Sequence, residues 1–187
     1  MHSKLQHPEL PGALAHGARL RRADIDDVPH LFTLEQELFP LDAWNLDMFL
    51  AEITHPTRTY YVLERAHASE NFQENPDKKN APNIIGYCGV MTVADTADVQ
   101  TIAVLPEYEG NGYGRAMLAA MHRRAQDLGA QRILLEVRAD NPRAQNLYLR
   151  TGYTRIHTRP GYYDDGTDAL IMLKDFAADA STTTETT

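Results

Sequence analysis

Residues 98–115 read DVQTIAVLPEYEGNGYGR and combine a strand-like run, a glycine-rich turn and the start of a helix. Pro106 ends the strand-like run, because proline has no N–H to give to a β-ladder. Three glycines follow within five residues, at Gly110, Gly112 and Gly114. Glycines let a turn point its N–H groups inward, and a helix N-terminus adds partial positive charge. This stretch therefore predicts a cradle for an anion such as a phosphate group.

Two familiar phosphate-binding motifs fit this turn poorly. A P-loop needs Gly-Lys-Ser/Thr at its end, whereas Gly114 is followed by Arg115 and Ala116. A dinucleotide fold places the turn in its first βαβ unit, with an acidic residue about 20 residues further on. Glu136 lies near that position, but two strand-like runs already precede the turn. A glycine-rich turn that binds no ligand also stays open from this stretch alone.

The residues downstream of the turn separate these alternatives. A buried-type strand, ILLEVR at 133–138, carries one carboxylate, Glu136, and Asn141-Pro142 then cap and start a helix. Together these features resemble the GCN5-related N-acetyltransferase (GNAT) superfamily and, within it, the RimI-like ribosomal-protein alanine N-acetyltransferases. The resemblance covers roughly residues 18–174, and its matching segments are IAV at 102–104, the turn at 110–115, LEVRADN at 135–141, NLY at 146–148, GY at 152–153, and YY at 162–163 before DALIM at 168–172.

The resemblance implies an α/β (α+β) GNAT fold: a mixed, mostly antiparallel central sheet with a splayed central strand pair, flanked by about four helices. The residue patterns agree with this fold, because they predict a meander of three strands at 59–64, 84–93 and 99–105. They also predict a helix at 115–128, a central strand at 131–137, and a final hairpin at 153–158 and 168–173. We expect a flexible extension at 1–17, one N-acetyltransferase domain at 18–175 and a disordered tail at 176–187.

Composition narrows the class of protein. A chain of 187 residues can build one domain with a proper core. Its net charge of −8 argues against binding nucleic acid or an anionic membrane and suits a cationic partner such as a basic protein tail. The single cysteine, Cys88, excludes an internal disulfide and is expected to be a small buried filler. We expect no metal site, and the lack of an apolar span or signal-peptide core predicts a cytoplasmic protein.

By resemblance, the turn and the strand before it hold acetyl-CoA as co-substrate. The N–H of Val104 would polarise the thioester carbonyl, and Asn141 would contact acetyl-CoA, although it can also simply cap its helix. The family usually has Gln or Arg where this chain has Glu109, and we expect that carboxylate to turn to solvent. The predicted acetyl-CoA residues are Ile102, Ala103, Val104, Gly110, Asn111, Gly112, Tyr113, Gly114, Arg115 and Asn141.

Two further residues are candidate proton carriers. An N-terminal amine titrates near 8, so a carboxylate within reach, Glu136, could take its proton. A lone glutamate in an apolar strand is otherwise costly, and a salt bridge with Arg138 or Arg132 is the structural alternative. Tyr148 lies 148 − 136 = 12 residues further on. The resemblance assigns it the proton that the leaving thiolate takes up, and the alternative is a tyrosine that caps the core.

The acceptor site is predicted from the family alone. The segment between the first two helices would wall it with Phe39, Pro40 and Trp44, which could equally be packing residues. Tyr162 and Tyr163, in the last hairpin, would close over an acceptor peptide and exclude an internal lysine. The resemblance thus implies acetyl transfer to the N-terminal alanine of a small-subunit ribosomal protein. The alternatives are a GNAT enzyme acting on lysine or a small-molecule amine, and a non-catalytic acyl-CoA-binding protein.

Overall fold

The computed structural model describes residues 14–40, 43–65 and 83–177. Strands and helices within these ranges follow the order β1 Ala18–Arg22, α1 Val28–Leu38, α2 Leu46–Thr54, β2 Arg58–Arg65, β3 Ile84–Val93, β4 Thr96–Val104, α3 Tyr113–Asp127, β5 Arg132–Arg138, α4 Pro142–Arg150, β6 Thr154–Arg159 and β7 Ala169–Asp175. No helix in the described part of the chain is long and apolar enough to cross a membrane. No three His, Cys, Asp or Glu side chains in the same ranges stand together as metal ligands would.

The strands form one sheet with the order β1-β2-β3-β4-β5-β7-β6. All neighbouring pairs are antiparallel except β4 and β5, which are parallel and are joined through α3. The predicted meander (β2, β3 and β4) and the predicted final hairpin (β6 and β7) are confirmed. The mixed, mostly antiparallel sheet with four helices is the fold that the sequence implied.

Apolar side chains cover both faces of the sheet. Helices α3 and α4 close one face, where Met117 and Met121 are fully buried beside Cys88. Helices α1 and α2 close part of the other face, where Leu31 and Phe49 are fully buried. The methionines of α3 therefore belong to the core, and Cys88 is the buried filler that the sequence predicted.

The local sequence explains where these helices begin. The Asn45 side chain accepts a hydrogen bond from the N–H of Met48 at 2.9 Å and so caps α2. Helix α3 begins at Tyr113, two residues before the predicted start, because Gly112 in the left-handed region serves as its N-cap. Strand β4 begins at Thr96 rather than at residue 99, since residues 96–98 pair with β5.

The two central strands diverge along their length. Strands β4 and β5 pair only over residues 96–98 and 132–134. Just beyond, Gly89 of β3 pairs with Thr101 and Val90 pairs with Val99, so Gln100 is an extra, bulged residue in β4. A bulge bends its strand and strengthens the local twist. The predicted splay is therefore confirmed, and it opens a gap between β4 and the second half of β5.

The described residues include only part of the predicted flanking segments. Residues 1–13 of the predicted extension, loop residues 66–82 and tail residues 178–187 lie outside the described ranges. Residues Ala15–Gly17 form a single 3-10 turn. The Tyr113 hydroxyl donates a hydrogen bond of 2.8 Å to the carbonyl oxygen of Ala15, so this turn lies against the start of α3.

Candidate active site

One open cleft of about 1390 Å³ joins the glycine-rich turn, the splayed strands and the loop between α1 and α2. Pockets for single small molecules usually measure about 300–1,000 Å³, so this cleft has room for two reactants. Its lining includes most of the predicted site residues: Phe39, Trp44, Ile102, Ala103, Val104, Gly110, Gly112, Tyr113, Gly114, Arg115, Glu136, Asn141, Tyr148 and Tyr163.

The gap between β4 and β5 presents backbone N–H groups without strand partners. The N–H of Leu105 donates to the carbonyl of Ile85 on β3 at 2.9 Å. Because N–H groups alternate in direction along an antiparallel strand, those of Ile102 and Val104 point away from β3. Strand β5 does not pair with this part of β4. Two donors therefore face the cleft, as an extended amide chain or a thioester carbonyl requires, whereas alternation directs the N–H of Ala103 toward β3.

The glycine-rich turn has the backbone that an anion cradle needs. Gly110 and Gly112 have φ values of +83° and +81°, a region that side chains disfavour. The first helical hydrogen bond of α3 runs from the N–H of Ala116 to the carbonyl of Gly112 at 3.1 Å. The N–H groups of residues 113–115 precede that bond, so they have no partner within the helix and are open to a ligand at its N-terminus.

Several side chains of the predicted cofactor set build the site rather than point into it. The Asn111 amide donates to the carbonyl of Tyr108 at 2.8 Å and braces the turn. Tyr113 is buried and is bonded to the N-terminal turn, so only its backbone faces the cleft. Asn141 accepts a hydrogen bond from the N–H of Ala144 at 3.0 Å and thereby caps α4, while it also lines the cleft.

Glu109 does not simply turn to solvent. Its carboxylate forms an ion pair with the guanidinium of Arg143 in the first turn of α4, and both residues line the cleft. Arg143 therefore offsets the negative charge that Glu109 places beside the glycine-rich turn, where the family usually has Gln or Arg.

Glu136 lies where β5 has separated from β4, and its side chain faces the cleft. Its Oε1 accepts a hydrogen bond from the Arg159 guanidinium of β6 at 2.5 Å. The hydrogen bond between the Tyr162 hydroxyl and Glu136, together with the charge of that carboxylate, raises the pKa of Tyr162. Two groups from the β6–β7 hairpin thus meet the candidate base, and sequence reasoning predicted neither contact.

The salt-bridge partners that the sequence offered for Glu136 are engaged elsewhere. Arg132 pairs with Asp95 at 3.1 Å. Arg138 pairs with Asp140 at 3.0 Å and with Asp165 at 2.5 Å. The structural alternative was therefore wrong in its partners, and Arg159, 23 residues along the chain, pairs with Glu136 instead.

Tyr148 lies beneath the cleft with only 5% of its surface exposed. Its ring packs edge-on against Tyr153, with centroids 5.8 Å apart. The described residues give its hydroxyl no hydrogen-bond partner, so the hydroxyl is available to a bound molecule. Burial, with a smaller contribution from Tyr163, raises the pKa of Tyr148 to about 12. The phenol consequently holds its proton at neutral pH, and it is present in the acid form that proton donation requires.

Aromatic side chains from two loops surround the other end of the cleft. Trp44 and Phe39 line it from the α1–α2 loop, and the Trp44 ring lies 5.4 Å from that of Phe49. Tyr163 lines it from the β6–β7 loop, where the Arg138 guanidinium lies 4.5 Å from the centre of its ring. Tyr162 does not line the cleft and is 48% exposed, so its link to the site is the contact with Glu136.

Sequence reasoning missed one buried acidic residue, which lies beside Trp44 in the lining of the cleft. Glu35 of α1 is 4% exposed and lines the cleft. Its Oε2 accepts a hydrogen bond from the Tyr87 hydroxyl, and its Oε1 accepts one from the N–H of Trp44 at 3.3 Å. Burial raises the pKa of this carboxyl. A signal was present, because Glu35 falls on the same helical face as Leu31 and Leu38, where an apolar residue is expected.

Comparisons with known proteins agree with this geometry. The sequence pattern of the Acetyltransferase (GNAT) family matches residues 29–153. A protein named putative [ribosomal protein bS18]-alanine N-acetyltransferase, from Bacillus subtilis, is 32% identical over 157 residues, which are 83% of this chain and 93% of that protein. The [ribosomal protein bS18]-alanine N-acetyltransferase of Escherichia coli K12 is 34% identical over 139 residues, 65% of this chain and 91% of the enzyme.

Solved structures share the fold. The crystal structure of the ribosomal-protein-S18-alanine N-acetyltransferase from Escherichia coli superposes with a TM-score of 0.69 at 25% identity, covering 85% of this chain and 94% of that one. Arabidopsis thaliana NAA60 in complex with acetyl-CoA gives a TM-score of 0.72 at 14% identity, covering 86% and 99%, and so shares the fold alone. The chain therefore belongs to the GNAT acetyltransferase family and is an acetyl-CoA-dependent N-acetyltransferase.

Proposed function

We propose that this enzyme transfers the acetyl group of acetyl-CoA to the α-amino group of a protein whose first residue is alanine. One observation carries the proposal: Glu136 and the buried phenol of Tyr148 line the same cleft as the free N–H of Val104. A proton acceptor, a proton donor and an oxyanion donor are then available to one reaction centre. The names of the Bacillus subtilis and Escherichia coli relatives support the N-terminal alanine acceptor.

The proposed reaction is a direct transfer. The amine nitrogen attacks the thioester carbonyl carbon while the Glu136 carboxylate takes the proton that the amine loses. The N–H of Val104 stabilises the charge that develops on the carbonyl oxygen. The carbon–sulfur bond then breaks, and the leaving sulfur takes the proton of Tyr148. Proton exchange with solvent restores Glu136 and Tyr148, and the products are the N-acetylated chain and free CoA thiol.

Main-chain N–H groups would make most of the contacts with acetyl-CoA. The turn at Gly110 and Gly112, with the open N–H groups at the start of α3, would hold the diphosphate. The N–H groups of Ile102 and Val104 would hold the amides of the pantetheine arm, as an added strand would. Arg115 is exposed beside the turn and would add a phosphate contact.

The acceptor end supports a peptide N-terminus over a lysine or a small amine. Trp44, Phe39 and Tyr163 line this part of the cleft, and Tyr162 reaches Glu136 from the hairpin beside it. Aromatic walls on two sides suit a short first side chain followed by an extended chain. A small-subunit ribosomal protein is the proposed natural acceptor, because its basic surface would complement the net charge of −8. Action in the cytoplasm stays a prediction.

A panel of peptides tests this proposal. The enzyme is incubated with acetyl-CoA and peptides that differ only at residue one, and each product is mapped by mass spectrometry. We expect acetylation of the α-amino group, fastest with alanine first, and slower reaction at an internal lysine in a peptide with a blocked N-terminus. Faster acetylation of that lysine would contradict the N-terminal assignment, and binding of acetyl-CoA without any turnover would favour the non-catalytic alternative.

A further inference from the structure

We propose that Glu35 is a specificity-determining residue, which acts through Trp44 to set the width of the slot for the acceptor's first side chain. The inference rests on the proposed function, since it concerns the acceptor of that reaction. Glu35 is a positioning residue here, because it acts through Trp44 and, of the two, only Trp44 would contact the acceptor.

The carboxyl group of Glu35 connects three parts of the structure. It projects from α1, and its Oε2 is held by the hydroxyl of Tyr87 on the central strand β3. Its Oε1 accepts a hydrogen bond from the main-chain N–H of Trp44, one residue before the N-cap of α2. The loop that carries Trp44 is thus tied to the sheet through one buried side chain.

The hydrogen bonds of Glu35 are buried, and their burial indicates what this side chain does. Glu35 is 4% exposed and Tyr87 is fully buried, so each polar group depends on the other for its hydrogen bond. Burying a carboxyl group costs free energy, and an apolar residue at this helical position would avoid that cost. The carboxyl group faces the cleft and accepts a hydrogen bond from the backbone of Trp44, and this combination favours a role in shaping the site over one in filling the core.

Ring packing then fixes the Trp44 side chain relative to its backbone. The Trp44 ring packs on Phe49 at 5.4 Å, and Phe49 packs edge-on against the Tyr87 ring at 5.8 Å. Trp44, Phe49, Tyr87 and Glu35 therefore form a closed ring of contacts, which fixes how far Trp44 extends into the cleft. Without the carboxyl group, the backbone at Trp44 loses its only link to α1 among the described hydrogen bonds.

The test compares Glu35→Leu with Glu35→Gln. An amide in place of the carboxyl group can still accept from Trp44 N–H and donate to the Tyr87 oxygen, so Glu35→Gln should behave as wild type. Glu35→Leu removes both bonds. We expect its preference for alanine over methionine at residue one, measured as the ratio of kcat/KM values, to fall by roughly fivefold, as the loss of one hydrogen bond to the wall implies. The KM for acetyl-CoA should be unchanged.

A readout independent of turnover is available, because Trp44 is the only tryptophan in the sequence. Its fluorescence should become more accessible to acrylamide in Glu35→Leu and stay as in wild type in Glu35→Gln. Glu37→Leu is the matched control, since Glu37 is exposed on the same helix, and it should change neither measurement. If Glu35→Leu folds poorly, the double variant Glu35→Leu/Tyr87→Phe removes the unpaired hydroxyl as well and should still show the relaxed preference.

The outcomes distinguish this inference from the proposed function. An active wild-type enzyme with unchanged peptide preference and unchanged quenching in the stable Glu35→Leu variant would overturn the role of Glu35 alone. A wild-type enzyme that acetylates no peptide N-terminus would overturn the proposed function, and quenching of Trp44 would still report whether Glu35 holds the wall.

Discussion

The two ends of the cleft are built by different means. The acetyl-CoA end consists of main-chain groups: the N–H groups of Ile102 and Val104 in the gap and those at the start of α3. The acceptor end consists of side chains from two separate loops, with Trp44 on one and Tyr163 on the other. The first end depends on backbone angles and strand register, whereas the second depends on which side chains meet. Substitutions should therefore separate the two ends by the kinetic constant that each one changes.

The largest effect is expected where the two ends meet. Glu136→Gln removes the proton acceptor but keeps a hydrogen-bonding side chain of the same size, so kcat should fall by about 1,000-fold. The dissociation constant for acetyl-CoA, measured by calorimetry, should not change, because no charged contact to the coenzyme is lost. A fall of less than about tenfold would show that water or another group takes the proton.

The next largest effect is expected at the buried phenol. Tyr148→Phe should lower kcat by about 100-fold, because the thiolate then leaves without a proton donor. Since the pKa of Tyr148 is raised to about 12, the wild-type phenol is protonated throughout the range from pH 7 to 10. The defect should therefore be equally large across that range.

Tyr153→Phe is the matched control for this prediction. Tyr153 is buried too, and its ring packs against that of Tyr148. Its hydroxyl, however, is hydrogen-bonded to Nε2 of His122 at 2.8 Å. Its kcat should stay close to that of wild type. A defect in Tyr148→Phe that disappears as the pH rises from 7 to 9 would contradict the assignment of Tyr148.

A glycine substitution tests the acetyl-CoA end by itself. Gly112→Ala forces a side chain into the left-handed region, at a cost of about 1–2 kcal/mol. The displaced N–H groups should weaken the bonds to phosphate, so the KM for acetyl-CoA should rise by roughly tenfold. Peptide preference should not change, and kinetics at varied acetyl-CoA and fixed peptide will measure the effect.

Gly129→Ala makes the same backbone change at the far end of α3. Gly129 has a φ of +92° and, like Gly112, has open space where a Cβ would stand. Thermal unfolding should show a similar loss of stability in both variants. An equal rise in the KM for acetyl-CoA in both would mean that Gly112 matters for stability only.

The smallest effect is expected at the rim of the cradle. Glu109→Gln removes a carboxylate beside the predicted phosphate site and frees Arg143 from its ion pair. Exposed ion pairs are worth about 0.2–1 kcal/mol, so acetyl-CoA should bind more tightly by a factor of at most about five. The gain should shrink at high salt, which screens surface charges.

The neighbouring Glu107 supplies the control for the rim. It is exposed in the turn before the glycines and forms no ion pair with any described residue. Glu107→Gln should leave the calorimetric affinity for acetyl-CoA almost unchanged. Weaker binding in Glu109→Gln would instead mean that the ion pair orders the cradle.

The same contrast between the two ends explains what the sequence could predict. The glycine turn, the proline that ends β4 and the lone carboxylate of β5 are local patterns, and local patterns specify backbone conformation. The contacts of Glu136 with Arg159 and Tyr162 depend on how the final hairpin folds back across the sheet, which no short pattern encodes. Glu35 lies between these cases, because its place on an apolar helical face was visible whereas its bond to Trp44 was not.

The bulge at Gln100 depends on the number of residues in β4 and not on their chemistry. What opens the channel is the count of residues in β4 relative to β3, and the chemistry of the Gln100 side chain plays no part in that count. Exchanging Gln100 for another amino acid should keep the bulge, whereas deleting it should remove the bulge and the bend that it adds to β4. The gap beside β5 therefore depends on the presence of a residue at this position and not on which amino acid it is.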